Sequence, residues 1–242
     1  MDAVRIERLT KRYKDIVAVN DLSLTIKKGE LFCLLGVNGA GKTTTIKMLS
    51  CLTKPTSGDA FIDEKSICHD TAAVKSIIGV SPQETAIAPG LSVKENLELM
   101  CGIYEFPRAT WNERITELSA LLGLNEVMNR KAEKLSGGWK RRLSIAMALI
   151  SRPKILFLDE PTLGLDVLAR SDLWDIIRSL KGQTTIILTT HYMEEAEVLS
   201  DRIAIMKCGK LLICDSAENI KRIAGTDQFE QAFIRIVKGA DQ

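Results

Sequence analysis

Glycines, a lysine and a threonine have the spacing of a phosphate-binding loop in Gly36-Val-Asn-Gly-Ala-Gly-Lys42-Thr43. The segment fits the pattern G-x-x-x-x-G-K-[ST], and it follows an apolar run and opens a helical pattern, as such a loop requires. Glycines let successive backbone N–H groups turn toward one anion, and the following helix presents the positive end of its dipole. We therefore expect Lys42 to contact the β- and γ-phosphates of a nucleotide and the Thr43 hydroxyl to ligate Mg²⁺.

Two adjacent acids, Asp159 and Glu160, follow a second apolar run, Ile155 to Leu158. Successive side chains on a strand point to opposite faces, so the two acids cannot do the same job. Asp159 suits a partner of Mg²⁺, directly or through water, and Glu160 suits the carboxylate that polarises an attacking water. Together with the phosphate loop, these two acids predict a P-loop nucleoside triphosphatase (NTPase). Kinases, RecA-like motors, GTPases and transporter ATPases all remain open at this point.

A second glycine motif, Leu135-Ser136-Gly137-Gly138, precedes the helical pattern of Lys140 to Ile150. Ser136 can cap that helix, and the two glycines leave its N–H groups open, which makes a second anion site. A single chain that binds one nucleotide has no clear use for two separate phosphate-binding sites, or cradles. The sequence therefore predicts two chains packed head to tail, each cradle completing the site of the other.

The order of these motifs resembles the nucleotide-binding domain of an ABC transporter over nearly the whole chain. The resemblance implies that Ser136, Gly137 and Gly138 contact the γ-phosphate bound by the partner. It makes Asp159 the metal-side acid and Glu160 the catalytic glutamate. The nucleotide-binding residues that it implies in and after the phosphate loop are Gly36, Asn38, Gly39, Ala40, Gly41, Lys42, Thr43 and Thr44.

Some roles follow from the resemblance alone. Tyr13 has the position of an aromatic residue that stacks on adenine, and Gln83 that of a glutamine that senses γ-phosphate and Mg²⁺. His191 matches a switch histidine that contacts the γ-phosphate, and Gly164-Leu165-Asp166 a loop that communicates across the dimer. Taken singly, Tyr13 is more typical of a surface or packing residue, and a core histidine is the alternative for His191. Their joint order favours the functional roles.

Trp139 departs from the family pattern, which usually has glutamine after the two glycines. The substitution keeps Ser136 and the backbone donors but removes the glutamine's polar contact to the nucleotide. We expect the indole to lie at the dimer interface beside the partner's ribose. The alternative is that it packs in the core under the helices.

Apolar runs alternate with helical patterns, which is typical of an α/β fold with a mainly parallel sheet. The first residues contain short strand-like pieces, Val4 to Leu9 and Leu22 to Ile26. Further strands are predicted at Leu31 to Leu35, Ile155 to Leu158, Thr185 to Thr189 and Ile203 to Met206, and helices at Lys42 to Cys51 and Leu168 to Leu180.

Residues 89–150 differ, because helical patterns follow one another there without a strand-like run. These patterns cover Val93 to Tyr104, Trp111 to Leu122 and Lys140 to Ile150. We expect one ABC-type ATPase domain over residues 1–242, with an α/β core at about 1–88 and 151–215, an inserted α-helical subdomain at about 89–150 and a C-terminal tail at about 216–242. The resemblance implies a P-loop NTPase (RecA-like) core and an N-terminal antiparallel β region.

Composition limits the possible partners. The 33 Lys and Arg residues nearly balance the 31 Asp and Glu residues, which argues against a nucleic-acid partner. The apolar runs are far shorter than the roughly 20 residues of a membrane-spanning helix, and we expect no secretory signal. Six cysteines without close pairs and two histidines give poor support for zinc and fit a reducing compartment. We therefore expect a place at the cytoplasmic face of the membrane, through separate permease subunits.

The resulting hypothesis is hydrolysis of MgATP at a head-to-tail dimer, with a second copy or a similar ATPase subunit, to drive membrane transport. The permease should dock near Gln83 and the helical subdomain, with Leu97 to Phe106 contributing. Leu34 to Thr45 and Phe229 to Arg235 look most like the branch that exports drugs, sodium or lipids, which favours export. The alternatives are an ABC-type ATPase acting on ribosomes or DNA and a regulatory module that holds ATP without turnover.

Overall fold

The computed structural model of the chain describes residues 1–240. Two compact units account for it: Met1–Ser76 together with the chain from Lys181 onward, and Ile77–Leu180. We call them the first and second unit. No helix within residues 1–240 combines the length and the apolar composition that crossing a membrane requires.

The N-terminal part of the first unit contains an antiparallel sheet with the strand order β2-β1-β4-β5. Its first two strands are longer than the short pieces predicted from the sequence. Arg8 and Asp21 have positive φ and the β1–β2 register shifts near both, so bulges interrupt the alternation that marks a continuous strand. The elements are β1 Asp2–Tyr13, β2 Ile16–Lys27, β3 Leu31–Leu35, α1 Lys42–Leu49, β4 Ser57–Ile62, β5 Lys65–Ser66 and α2 Thr71–Lys75.

The second unit contains two strands that pair in parallel. Three long helices lie between these strands in the chain, and a fourth follows the second strand. The first of these helices has a capping box, in which the backbone N–H of Ser92 donates to Glu95 and lowers the pKa of that carboxyl. The elements are β6 Ile78–Ser81, α3 Val93–Ile103, α4 Arg108–Leu121, α5 Gly137–Leu149, β7 Ile155–Asp159 and α6 Val167–Leu180, with short 3-10 turns at Asn125–Val127 and Ala132–Lys134.

The C-terminal part of the first unit completes a sheet around β3, whose five apolar residues are all buried. β3 pairs in parallel with the strand on each side, which explains its unbroken apolar run. The stretch expected to be a tail contains two helices, and Phe229, Ala232 and Phe233 of the second are buried. The elements are β8 Thr185–Thr190, α7 Met193–Leu199, β9 Arg202–Lys207, β10 Lys210–Asp215, α8 Ala217–Ala224 and α9 Phe229–Gly239.

The cysteines are free thiols with different degrees of burial. Cys33 and Cys101 are buried, whereas Cys208 is exposed in the turn between β9 and β10. Burial, with help from Asp59, raises the pKa of the Cys68 thiol to about 11. Cys68 is therefore held in its unreactive protonated form at neutral pH.

Candidate functional site

The phosphate loop of the first unit needs glycine at two of its positions. A Cβ added to Gly36 would lie 2.5 Å from the carbonyl oxygen of Met206, and one added to Gly41 would lie 2.5 Å from that of Ala18. Gly41 also has a φ of 103°, which L side chains rarely adopt. The backbone of the loop therefore passes directly against β2 and β9, closer than any side chain would allow.

The turn between β9 and β10 fastens this loop to β2. The Gly209 N–H donates to the Ala40 carbonyl at 3.0 Å, and the Gly209 carbonyl accepts from the Asn20 N–H at 2.8 Å. A Cβ on Gly209 would come within 2.8 Å of the Ala18 carbonyl oxygen. Gly209 was not among the predicted site residues, because a Cys-Gly pair between two strand-like runs signals a hairpin turn and gives no sign of a contact with the phosphate loop.

The lysine of the loop is held inside it. Lys42 is 5% exposed, and its Nζ donates to the Gly36 carbonyl at 2.7 Å. Asn38 and Gly39 are exposed at the outer edge of the loop, whereas Thr43 and Thr44 are half-buried at the start of α1. A cation and the first-turn N–H groups of a helix thus lie in one short segment, which is the arrangement that binds phosphate.

Strand register in the first unit brings His191 to the phosphate loop. Leu35, the last residue of β3, pairs with Thr190, the last residue of β8. Gly36 and His191 therefore leave the sheet side by side at the same edge. His191 is half-buried, and its ring centroid lies 4.2 Å from that of Tyr192.

Tyr13 lies at the end of β1 and is exposed. It pairs with Ile16 across the β1–β2 hairpin, and the Lys11 ammonium lies 4.9 Å from its ring centroid. Ala18 of the same hairpin is the residue against which Gly41 packs. The hairpin that carries Tyr13 is therefore in contact with the phosphate loop, while stacking on adenine stays a prediction.

An equivalent register in the second unit groups the acids with Gln83. Ser81, the last residue of β6, pairs with Leu158 of β7, so Gln83 and Glu160 follow neighbouring strand ends. Asp159 is 4% exposed and Glu160 is 6% exposed, whereas Gln83 is exposed. Glu160 has a φ of 50°, an unusual backbone conformation of the kind that clusters at functional sites.

The Ser-Gly-Gly motif forms the start of α5, one turn earlier than the sequence predicted. Ser136 occupies the N-cap position, but its side chain makes no capping hydrogen bond, so the expectation that it caps the helix through its hydroxyl is wrong. Ser136 and Gly137 are exposed and Gly138 is half-buried. The first N–H groups of α5 thus open toward the surface of the chain.

A loop predicted to communicate across a dimer lies beside this helix start. A Cβ on Gly137 would contact Leu165 at 3.7 Å, within the segment Gly164 to Asp166. Asp166 accepts a hydrogen bond from the Ala169 N–H at 2.9 Å and so supports the first turn of α6. The next two residues, Val167 and Leu168, are 69% and 78% exposed. Two adjacent exposed apolar side chains are typical of a surface that another molecule covers.

Arg141 connects these features within the second unit, although it was not among the predicted site residues. It is 5% exposed on α5, and its guanidinium donates to the carbonyls of Pro82 at 2.7 Å and Gln83 at 2.8 Å. It also donates to the Glu160 carbonyl at 3.3 Å. Arg141 is the middle residue of the basic run that ends with Arg142. In a sequence, such a run is typical of a solvent-exposed helix face.

The oxygen donors predicted for Mg²⁺ suit that ion. Thr43 offers a hydroxyl, Gln83 an amide carbonyl and Asp159 a carboxylate, all of them hard oxygen ligands. Among residues 1–240 no group of three or more His, Cys, Asp or Glu side chains could hold a metal ion. The predicted set has only one hydroxyl, one amide carbonyl and one carboxylate. Such a set suits Mg²⁺ that is held mainly by the nucleotide phosphates and by water.

Comparison with known proteins decides the family. The family described as "ABC transporter" matches residues 19–163 of the chain. The chain belongs to the ABC transporter family. Its motif order and fold make it an ABC-type ATP-binding domain, as the sequence predicted.

Curated ABC relatives are considerably longer than this chain. It is 40% identical over 226 residues to the human protein named "Phospholipid-transporting ATPase ABCA3", covering 92% of this chain and 13% of that protein. It is 36% identical over 246 residues to the Escherichia coli "Probable multidrug ABC transporter ATP-binding protein YbhF", covering 99% of this chain and 42% of that protein. The chain thus spans less than half the length of either relative.

Solved structures of ABC proteins share the fold of the chain. One described as the "Structure of ATP binding subunit of ABC transporter" aligns with a TM-score of 0.86 and 25% identity, covering 97% of this chain and 99% of that one. A dimeric post-hydrolysis state of the ATP-binding cassette MJ0796, bound to ADP and Pi, aligns with a TM-score of 0.80 and 29% identity, covering 88% of this chain and 98% of that one. The predicted fold class is therefore confirmed.

Proposed function

We propose that this ABC-type domain binds MgATP between two head-to-tail copies, or between itself and a similar subunit, and hydrolyses it. The observation that carries the proposal is the exposed N-terminus of α5 at Ser136 and Gly137, beside the exposed apolar pair Val167 and Leu168. A helix N-terminus favours a phosphate anion, and an adjacent apolar patch favours a protein partner. A second chain bearing ATP on its own phosphate loop satisfies both preferences.

The chemistry of the proposed site is phosphoryl transfer to water. Water attacks the γ-phosphorus, the bond to the β–γ bridging oxygen breaks, and Glu160 accepts the proton that the water loses. Lys42 holds the β- and γ-phosphates, while His191 and the partner's Ser136–Gly138 segment donate hydrogen bonds to the γ-phosphate. Tyr13 stacks on the adenine. Thr43, Gln83 and Asp159 would hold Mg²⁺, which when bound offsets the charge of the phosphates.

We further propose that the chain powers export through separate membrane-spanning subunits at the cytoplasmic face of the membrane. The names of the human and E. coli relatives, a phospholipid-transporting ATPase and a probable multidrug transporter ATP-binding protein, support transport of lipids or drugs, and export follows from the resemblance of Leu34 to Thr45 and Phe229 to Arg235 to the export branch. The permease would dock on the helical segment, residues 89–150, which we propose acts as a subdomain. Leu99 and Ile103 support this choice, because they are exposed apolar residues one turn apart on α3.

The substitution Glu160→Gln tests the catalytic part of the proposal. An amide cannot accept the proton from water, yet it leaves the phosphate loop intact, so we expect MgATP to bind without turnover. The variant should then elute as an ATP-dependent dimer in size-exclusion chromatography, because hydrolysis normally releases the closed state. Phosphate release should fall by roughly 100-fold or more relative to the parental chain.

Glu126→Gln is the matched control, because Glu126 is an exposed glutamate in the same unit. It should hydrolyse ATP at the parental rate and show no stabilised dimer. A Glu160→Gln variant that remains monomeric with MgATP and hydrolyses it at the parental rate would contradict the proposal.

A further inference from the structure

The buried Arg141 side chain contacts the backbone at two of the loops assigned to catalysis. Its guanidinium donates to the carbonyls of Pro82 and Gln83 on one loop, and to that of Glu160 on the other. These loops follow the paired strands β6 and β7. A planar guanidinium presents several N–H donors in a fixed geometry, so one side chain can hold carbonyls from separate loops in a defined relation.

A second contact from α5 reaches the strand that precedes the Gln83 loop. Ser144, one turn beyond Arg141, shares a hydrogen bond of 2.8 Å with Ser81, and both hydroxyls are buried. Arg141 and Ser144 lie on one face of the helix, since they are three residues apart. Ser144 therefore holds the end of β6, whereas Arg141 holds the loop that carries Gln83.

The same helix begins at the Ser136–Gly138 segment, which we propose contacts the nucleotide bound by the partner. α5 runs from Gly137 to Leu149, with Ser136 as its N-cap, so Arg141 lies about one turn from the exposed anion site. A displacement of the helix start would be transmitted by the rigid helix to Arg141. Through Arg141 it would reach the backbone of Gln83 and Glu160.

We propose that Arg141 is a positioning residue that links occupancy of the signature site at Ser136–Gly138 to the placement of Gln83 and Glu160. The inference rests on the proposed function, because it takes Glu160 as the group that polarises water. Arg141 does not contact the reacting atoms. It holds the Glu160 carbonyl while that residue has its left-handed backbone conformation, which non-glycine residues seldom adopt.

The variant Arg141→Lys separates positioning from charge. Lysine keeps the positive charge, but its single ammonium cannot reproduce the planar set of donors that spans three carbonyls. Misplaced catalytic groups slow the chemical step, so we expect kcat for ATP hydrolysis to fall roughly 10- to 100-fold. KM for ATP should change by less than about 3-fold, because the phosphate loop lies elsewhere in the chain.

Arg141→Met is a second variant, which fills a similar volume without burying an unpaired charge. It should show the same loss of kcat even if Arg141→Lys does not fold. Ser144→Ala is the matched structural control, since it removes a hydrogen bond between α5 and β6 and leaves Gln83 and Glu160 untouched. It should lower the thermal unfolding temperature but change kcat by less than about 3-fold.

Dimerisation in the Glu160→Gln background distinguishes a defect in catalysis from a defect in ATP-dependent association. Arg141→Lys combined with Glu160→Gln should still form the MgATP-dependent dimer, which would place the defect in catalysis. Parental kcat in both Arg141 variants, or an equal loss of kcat in Ser144→Ala, would overturn the role of Arg141 while leaving the proposed function intact. A parental chain that neither dimerises nor hydrolyses ATP would overturn both.

Discussion

Lys42 and Tyr13 are the two side chains for which the proposed site predicts clearly different contributions to nucleotide affinity. Lys42 is buried in the phosphate loop, where a charge-assisted contact to phosphate is strong, so Lys42→Ala should cost about 3 kcal/mol or more of binding free energy. Tyr13 is exposed, and loss of a stacked ring in Tyr13→Ala should cost roughly 1–2 kcal/mol. Titration calorimetry with ATP and GTP measures both changes.

Tyr13→Phe is the control for stacking, because it keeps the ring and removes the hydroxyl. It should bind ATP with nearly the parental affinity. Parental affinity in Tyr13→Ala as well would show that the ring does not stack on adenine. The Lys42 prediction would be unaffected by that result.

At the residue scale, the sequence predicts best where chemistry is local. The phosphate loop and the two acids at the end of β7 are contiguous segments, so their spacing alone predicts them. Arg141 could not be found this way, because its partners Pro82 and Glu160 are distant in sequence. Arg141 and Arg142 are neighbours in one basic run, and nothing local in that run indicates which of them faces β6.

At the element scale, strands with unbroken apolar runs were predicted to within about one residue. β3, β7, β8 and β9 are buried in parallel pairings or beside them, so their composition alone marks them. β1 and β2 form a bulged antiparallel pair whose alternation is interrupted, and the sequence showed only fragments of each. The pairing between the two strands keeps each of them continuous through its bulges. The local sequence of either strand does not indicate that pairing.

The exposed face of α3 leads to a prediction about docking. Ile103 is 62% exposed, and Leu99 lies one turn before it. If a permease covers this face, Ile103→Glu would bury a charge in an apolar contact and should cost at least about 2 kcal/mol of association. Purification of the tagged chain from solubilised membranes, with identification of the integral partner, should then recover much less of that partner.

Ile223→Glu is the matched control, because Ile223 is 59% exposed on α8. It should leave recovery of the membrane partner unchanged. ATP-dependent dimerisation should persist in both variants, since α3 is not part of the proposed dimer contact. Equal recovery with Ile103→Glu and with the parental chain would remove α3 from the docking surface.

At the scale of the whole molecule, the proposed dimer gives Trp139 a role that the single chain does not. Its indole is half-buried on α5, and the Arg142 guanidinium lies 5.1 Å from the ring centroid. It directly follows the Ser136–Gly138 segment, whose first two residues are exposed, so a partner that covers the segment would also approach the ring. An indole has a broad face and one N–H donor, which suits packing beside a ribose. This interface role remains a hypothesis that a core position would contradict.

Fluorescence of Trp139 can distinguish the interface from the core. The chain has three tryptophans, so replacing Trp111 and Trp174 with Phe in a Glu160→Gln background leaves Trp139 as the single indole emitter. MgATP should shift its emission as the dimer closes, because the ring loses water on one face, and ADP should shift it much less. Adding Lys42→Ala should abolish the shift by preventing ATP binding. An unchanged emission in a sample shown to dimerise would place the indole in the core, because closure would then leave its surroundings as they were.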